Sequence, residues 1–114
     1  MTRAYRTEFD ESYAVPRELV ALAEAGLITD LSWHNDACPS FDLTTDGTVR
    51  LWVDHPDQER REISGSRRFT VERYDGEGRW LECVLETGVL PEVLKLLDVE
   101  FGIRTPAAAA RKEE

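Results

Sequence analysis

Between Phe41 and Val53 apolar and polar residues alternate on both sides of an Asp46-Gly47 pair, and this alternation constrains the fold more than any other feature. A period of two sends successive side chains to opposite faces of a strand, so the segment reads as a hairpin. The loop length then decides which residues share a face, because a slip of one residue inverts a whole strand. A two-residue turn places Phe41 and Leu43 beside Arg50 and Trp52, opposite Val49, Leu51 and Val53. A three-residue loop, Thr45-Asp46-Gly47, gathers Phe41, Leu43, Val49, Leu51 and Val53 on one face and leaves Asp42, Arg50 and Trp52 on the other. The hydrophobic pattern selects the second arrangement, with Gly47 in the left-handed conformation that glycine adopts without strain.

A second hairpin follows the same logic. Strands over 67–74 and 80–86 join through Asp75-Gly76-Glu77-Gly78-Arg79. Pairing Tyr74 with Trp80 and alternating from there sends Phe69, Val71, Leu81, Cys83 and Leu85 inward. Thr70, Glu72, Tyr74, Trp80, Glu82 and Val84 then lie outside. Cys83 is expected to be a reduced core thiol, and Asp30 and Glu82 to be solvated outer-face residues.

Helices flank this region. Pro16 suits a first helical turn, where its missing N–H costs nothing. Leu19, Val20, Leu22, Ala23 and Leu27 follow along one side, opposite Arg17, Glu18 and Glu24, and Gly26 supplies a left-handed stop. Near the other end Pro91 opens a helix with the stripe Leu90, Val93, Leu94, Leu97 and Phe101, stopped by Gly102. Leu27 to Trp33 reads as a first strand, since Leu31 and Trp33 alternate with Asp30 and Ser32, and residues 34–40 and 56–66 read as polar connections. The expected architecture is α+β, a four-stranded antiparallel meander with one helix before it and one after, the helices packed mainly on one sheet face. Residues 1–104 form the single domain, 1–14 an arm or short edge strand, and 105–114 a tail. The outer face stays open to water unless a helix, or the arm with Tyr5, Phe9 and Tyr13, covers it.

Composition bounds the rest. A chain of 114 residues suits one domain and can bury a core without disulfides or metal. Cys38 and Cys83 are too few for a disulfide framework. The start of the chain resembles no secretory signal and no apolar run approaches a membrane span, so a soluble, cytoplasmic protein is expected. Net charge is −9. The excess acid is concentrated before residue 59, and a locally basic stretch holds Arg60, Arg61, Arg67 and Arg68. Direct binding to nucleic acid or to an acidic membrane surface is disfavoured, since both need a basic face.

Candidate chemistry is sparse. His34 ends the first strand and His55 the third, two strand spacings apart on one rim, so that Asp36, Cys38, Asp54 and Asp57 are able to converge with them. His, Cys and Asp suit zinc, but His-x-Asp-x-Cys is not a spacing any zinc class requires, and polar loop residues are the simpler reading. A thiol hydrolase using Cys38 with His34 or His55 lacks an oxyanion hole at a helix start. Gly76-Glu77-Gly78 sits in a hairpin without a helix to receive phosphate. The arginine cluster, interleaved with Glu59 and Glu62, reads as a solvated loop before an anion clamp.

The expectation is therefore a protein-binding module rather than an enzyme, with no cofactor or metal. Its contact set is Trp52, Tyr74 and Trp80 with Glu72, Glu82 and Arg50, since tryptophan and tyrosine anchor interfaces. The acidic charge suits a basic or nucleic-acid-binding partner protein, as for an inhibitor, immunity or antitoxin-like protein. The alternatives are a small metal-dependent or thiol enzyme centred on His34, Cys38 and His55, and a homodimer through the aromatic face.

Overall fold

The computed structural model describes Phe9, residues 11–33, Asp36, residues 38–61, Ile63 and residues 65–104. The arm before Phe9, Tyr5 included, and the tail from residue 105 lie outside the described residues, as do His34 and Glu62. After a short 3-10 turn at Glu11–Tyr13, helix α1 spans Arg17–Glu24 with Pro16 as its cap. Gly26, at φ 79°, closes it. The Gly26 N–H reaches the Ala23 carbonyl at 3.1 Å and the Leu27 N–H reaches that of Leu22 at 2.9 Å. Two otherwise orphaned carbonyls are thereby satisfied. Helix α2 spans Leu90–Phe101, with proline in its first turn and Gly102 at its end with φ 67°.

Five strands lie between the helices: β1 (Thr29–Asp30), β2 (Ser40–Asp42), β3 (Val49–Val53), β4 (Phe69–Tyr74) and β5 (Trp80–Thr87). They form one sheet in sequence order, each pair antiparallel. This corrects the four-strand expectation: the strand read over 27–33 and the two strands of each hairpin all enter the sheet, which makes five, β1 by only two residues. At the end of that strand the Asp30 carboxylate closes a local turn, its Oδ1 accepting the Ser32 N–H at 3.0 Å. Ile28 is buried while Leu31 and Trp33 are exposed, and Asp30 pairs opposite Phe41 on the core side rather than lying on the outer face.

The first hairpin has the three-residue loop. Leu51 pairs with Phe41, Arg50 with Asp42, and Gly47 has φ 74°. Asp46 ties the loop by accepting the Thr48 N–H at 3.1 Å and its hydroxyl at 2.7 Å. The Thr48 hydroxyl first, and then that of Thr44, hold the Asp46 carboxyl below its ordinary pKa. Phe41, Leu43, Val49, Leu51 and Val53 are all buried. They join Leu19 and Leu22 of α1 and Val93 and Leu97 of α2 in one core with Phe69 and Val71. No described helix is long and apolar enough to cross a membrane.

The second hairpin departs from simple alternation. Tyr74 pairs with Trp80, but the register shifts twice, so that Arg73 meets Glu82, Glu72 meets Cys83 and Val71 meets Leu85. Leu81 and Val84 are the extra residues, and each bulge restarts the alternation. Leu81 is exposed, not inward, and Val84 packs against the core rather than outside. Cys83 is an exposed thiol on the Glu72 side of the sheet, not a core residue. Partial burial, and then Glu86 and Glu72, push its pKa up. Cys38 is the buried thiol. A thiol-specific reagent should therefore modify Cys83 in the native protein at least about tenfold faster than Cys38, as resolved with Cys83→Ser. Faster labelling of Cys38 would contradict the bulged register.

Candidate functional site

The outer face is assembled from alternate residues of four strands. β2 contributes Ser40 and Asp42, β3 Arg50 and Trp52, β4 Thr70, Glu72 and Tyr74, and β5 Trp80, Cys83 and Glu86. Cross-strand neighbours on one face stand close enough for aromatic and charged side chains to meet. Here they meet around a single carboxylate. The Trp52 indole N–H donates to the Tyr74 hydroxyl at 3.2 Å, and that hydroxyl donates to Glu72 Oε1 at 2.8 Å. The Trp80 indole N–H donates to Glu72 Oε2 at 3.1 Å. An ionised carboxylate only accepts, so Glu72 can take both donors at once, and such bonds are stronger than neutral ones.

Arg50 completes the group. Its guanidinium lies 5.6 Å from the centroids of both the Trp52 and the Tyr74 rings. Its Nε stands 3.3 Å from Asp42 Oδ1. The cation is thus fixed between a carboxylate and two aromatic faces, a contact that arginine's planar head suits. Trp52 and Tyr74 are half-buried, whereas Trp80 is 57% exposed. Burial is the main cause that raises the Tyr74 pKa, with Glu72 adding to it and Trp52 and Arg50 opposing.

Five of the six residues expected at this site therefore converge: Trp52, Tyr74, Trp80, Glu72 and Arg50. Glu82 does not. The shift between Arg73 and Tyr74 rotates it to the helix side of the sheet, where its Oε2 lies 3.4 Å from Arg73 Nε. Cys83 and Glu86 take the outer positions that simple alternation gave to Glu82 and Val84. No glycine marks either bulge in the sequence Trp80-Leu81-Glu82-Cys83-Val84-Leu85-Glu86-Thr87, so nothing in that strand announced the shift. Beside the group a cavity of about 350 Å³ opens, with Trp52, Thr70, Glu72 and Glu86 on the sheet side and Asp36 and Arg67 at the rim.

Of the rim residues, His55 has a structural role. His55 is buried, and its Nδ1 accepts the Asp57 N–H at 2.9 Å. Its ring meets Tyr13 edge-on at 5.2 Å, and Tyr13 meets Phe9 at 5.1 Å. The described part of the arm thus stacks on His55. His34 lies outside the described residues, Asp36 is half-buried and Cys38 is buried. Among the described residues no group of three or more His, Cys, Asp or Glu is arranged to hold a metal ion.

Arg61 and Arg68 form neither a solvated loop nor an anion clamp, because both are spent on main-chain carbonyls. Arg61 donates to the carbonyls of His55 at 2.7 Å, Ser66 at 2.6 Å and Pro56 at 3.3 Å. Arg68 donates to those of Asp54 at 3.2 Å, Tyr13 at 2.9 Å and Ala14 at 2.7 Å. These bonds satisfy carbonyls of irregular segments that have no strand partner.

Comparison with protein-family models, curated proteins and solved structures finds no match to this chain. What the described residues offer is the outer face itself: a hydrogen-bonded aromatic group in which Trp80 faces solvent while Trp52 and Tyr74 are half-buried.

Tyr74 gives a spectroscopic handle on that group. Its folded pKa is raised above the unfolded value of about 10. Its contribution to stability is thus complete below that pH and is lost as pH rises through the folded value. In an absorbance titration of tyrosinate, one phase should lie above pH about 10 and disappear in Tyr74→Phe. A Tyr74→Phe titration that keeps the late phase would contradict the half-buried, carboxylate-bound hydroxyl.

Proposed function

We propose that this chain is a protein-binding domain whose contact surface is the outer sheet face centred on Trp80. One observation carries the reading: the indole N–H of Trp80 is held by Glu72 while more than half of the side chain faces solvent. An exposed tryptophan fixed in one orientation loses little further entropy when a partner covers it, which favours tight association. Tryptophan, tyrosine and arginine are also the residue types that dominate interface energetics.

Charge supports a basic partner. Asp42, Glu72 and Glu86 outnumber Arg50 on this face, and the chain as a whole carries −9. Such a surface steers a cationic protein toward it, and the steering falls with salt. A nucleic-acid-binding protein has the required basic face, so an inhibitory, immunity or antitoxin-like role against such a protein is the form of the proposal to test first. Binding rather than catalysis is favoured by His55, whose ring is buried against Tyr13 with Nδ1 committed to a backbone N–H, since a general base has to reach its substrate.

The test is comparative affinity capture with wild-type protein and Trp80→Ala, quantified by mass spectrometry. A partner retained by the wild type should fall by about tenfold or more with Trp80→Ala, while far-UV circular dichroism stays unchanged. Retention should also weaken between about 0.15 M and about 0.5 M salt. Equal capture by both proteins, or enrichment only of the chain itself, would contradict the proposal.

A further inference from the structure

The sheet ends on one side in the two residues of β1 and on the other in the eight residues of β5. Among the described strands only β5 offers an edge long enough to template another strand, since one side of its backbone pairs with no described strand. Lysine and proline, two of the devices that guard such edges, are absent from Trp80–Thr87, and beyond the bulges at Leu81 and Val84 residues 85–87 keep a regular register. Alongside, between β5 and α2, runs a groove of about 330 Å³ floored by Val84, Leu85, Leu96 and Val99. Val99 is 66% exposed and Leu81 is 52% exposed. A free backbone edge with an apolar groove next to it is the combination by which extended peptides bind: main-chain bonds give affinity and alternate side chains give specificity.

Charge decides the occupant. Glu82 and Glu86 lie on the strand, and Glu92 and Glu100 flank the groove with Lys95. A second copy would bring the same carboxylates, and another −9, to this edge. A segment alternating apolar and cationic residues meets these acids favourably. We infer that β5 accepts an extended, apolar and basic segment of a partner protein as a sixth strand. Its apolar side chains enter the groove beside α2, and the intervening ones lie over Trp80 and Glu86 on the outer face. This inference rests on the reading of the outer face as protein-binding and adds the mode of attachment.

Its test separates the two. Random ten-residue peptides displayed as a library are selected on the full chain, and the best binder is resynthesised with N-methyl groups on one or the other set of alternate amides. Strand addition predicts a loss of about tenfold or more for the set facing β5 and little change for the other, because each methyl removes one main-chain donor. It also predicts about tenfold weaker binding to Val99→Glu, a substitution at an exposed site that leaves the fold intact. Tolerance of both N-methyl sets, with loss on Trp80→Ala alone, would overturn strand addition and leave the face reading standing. Sensitivity to one N-methyl set and to Val99→Glu, but not to Trp80→Ala, would uphold strand addition and overturn the face reading. Failure to select any peptide, or association of the chain with itself through β5, would overturn the inference.

Discussion

Two residues in β5 that have no counterpart in β4 govern the surface of this protein. β4 supplies six residues and β5 eight, and the surplus is absorbed at Leu81 and Val84. Each bulge turns the strand so that the next residue starts a new alternation. The first lets Tyr74 and Trp80 remain opposite one another on the outer face while Glu82 faces Arg73 behind it. The first also turns Cys83 outward, and the second brings Val84 and Leu85 together against the core and leaves Glu86 outside opposite Thr70. A straight ladder would have placed Cys83 and Leu81 inside and Glu82 and Val84 outside, leaving a different outer face.

Much of the fold was legible because its signals are local and redundant. The hairpin around Gly47 was decided by five apolar residues that only one loop length aligns, and Leu51 at its centre is fully buried. Both helices carry an apolar stripe and a glycine stop, and both glycines take positive φ. Misreadings arose where the pattern was short or permissive. β1 pairs by two residues only, and in so short a strand a single buried Ile28 outweighs the alternation of Leu31 and Trp33. In β5 the residues Leu81, Cys83, Val84 and Leu85 are all apolar enough to suit either face, so alternation could not expose a bulge.

The candidate site was legible to the extent that it depends on β3 and β4. Arg50, Trp52, Glu72 and Tyr74 alternate in strands without irregularity, and Trp80 was fixed by its pairing with Tyr74. What alternation could not supply is the chemistry that links them. That Glu72 accepts from both Tyr74 and Trp80, and that Trp52 reaches it through the Tyr74 hydroxyl, depends on side-chain reach across three strands. The arginines at the rim were equally opaque. Arg61 and Arg68 look like surface charges in sequence, yet they supply donors to carbonyls of the segments they fasten.

The face is thus the product of a backbone irregularity and a shared carboxylate. The bulges decide which side chains reach it, and Glu72 decides how they are held. An ordered Trp80 over acidic neighbours is what a partner would meet, and the edge of the same strand, which pairs with no described strand, lies alongside. Cross-strand nuclear Overhauser contacts between β4 and β5 examine this arrangement at its origin. The bulged register predicts that Glu72 contacts Cys83 and Val71 contacts Leu85 across the ladder. A ladder in which Glu72 contacts Glu82 and Val71 contacts Cys83 would contradict it, and with it the composition of the outer face.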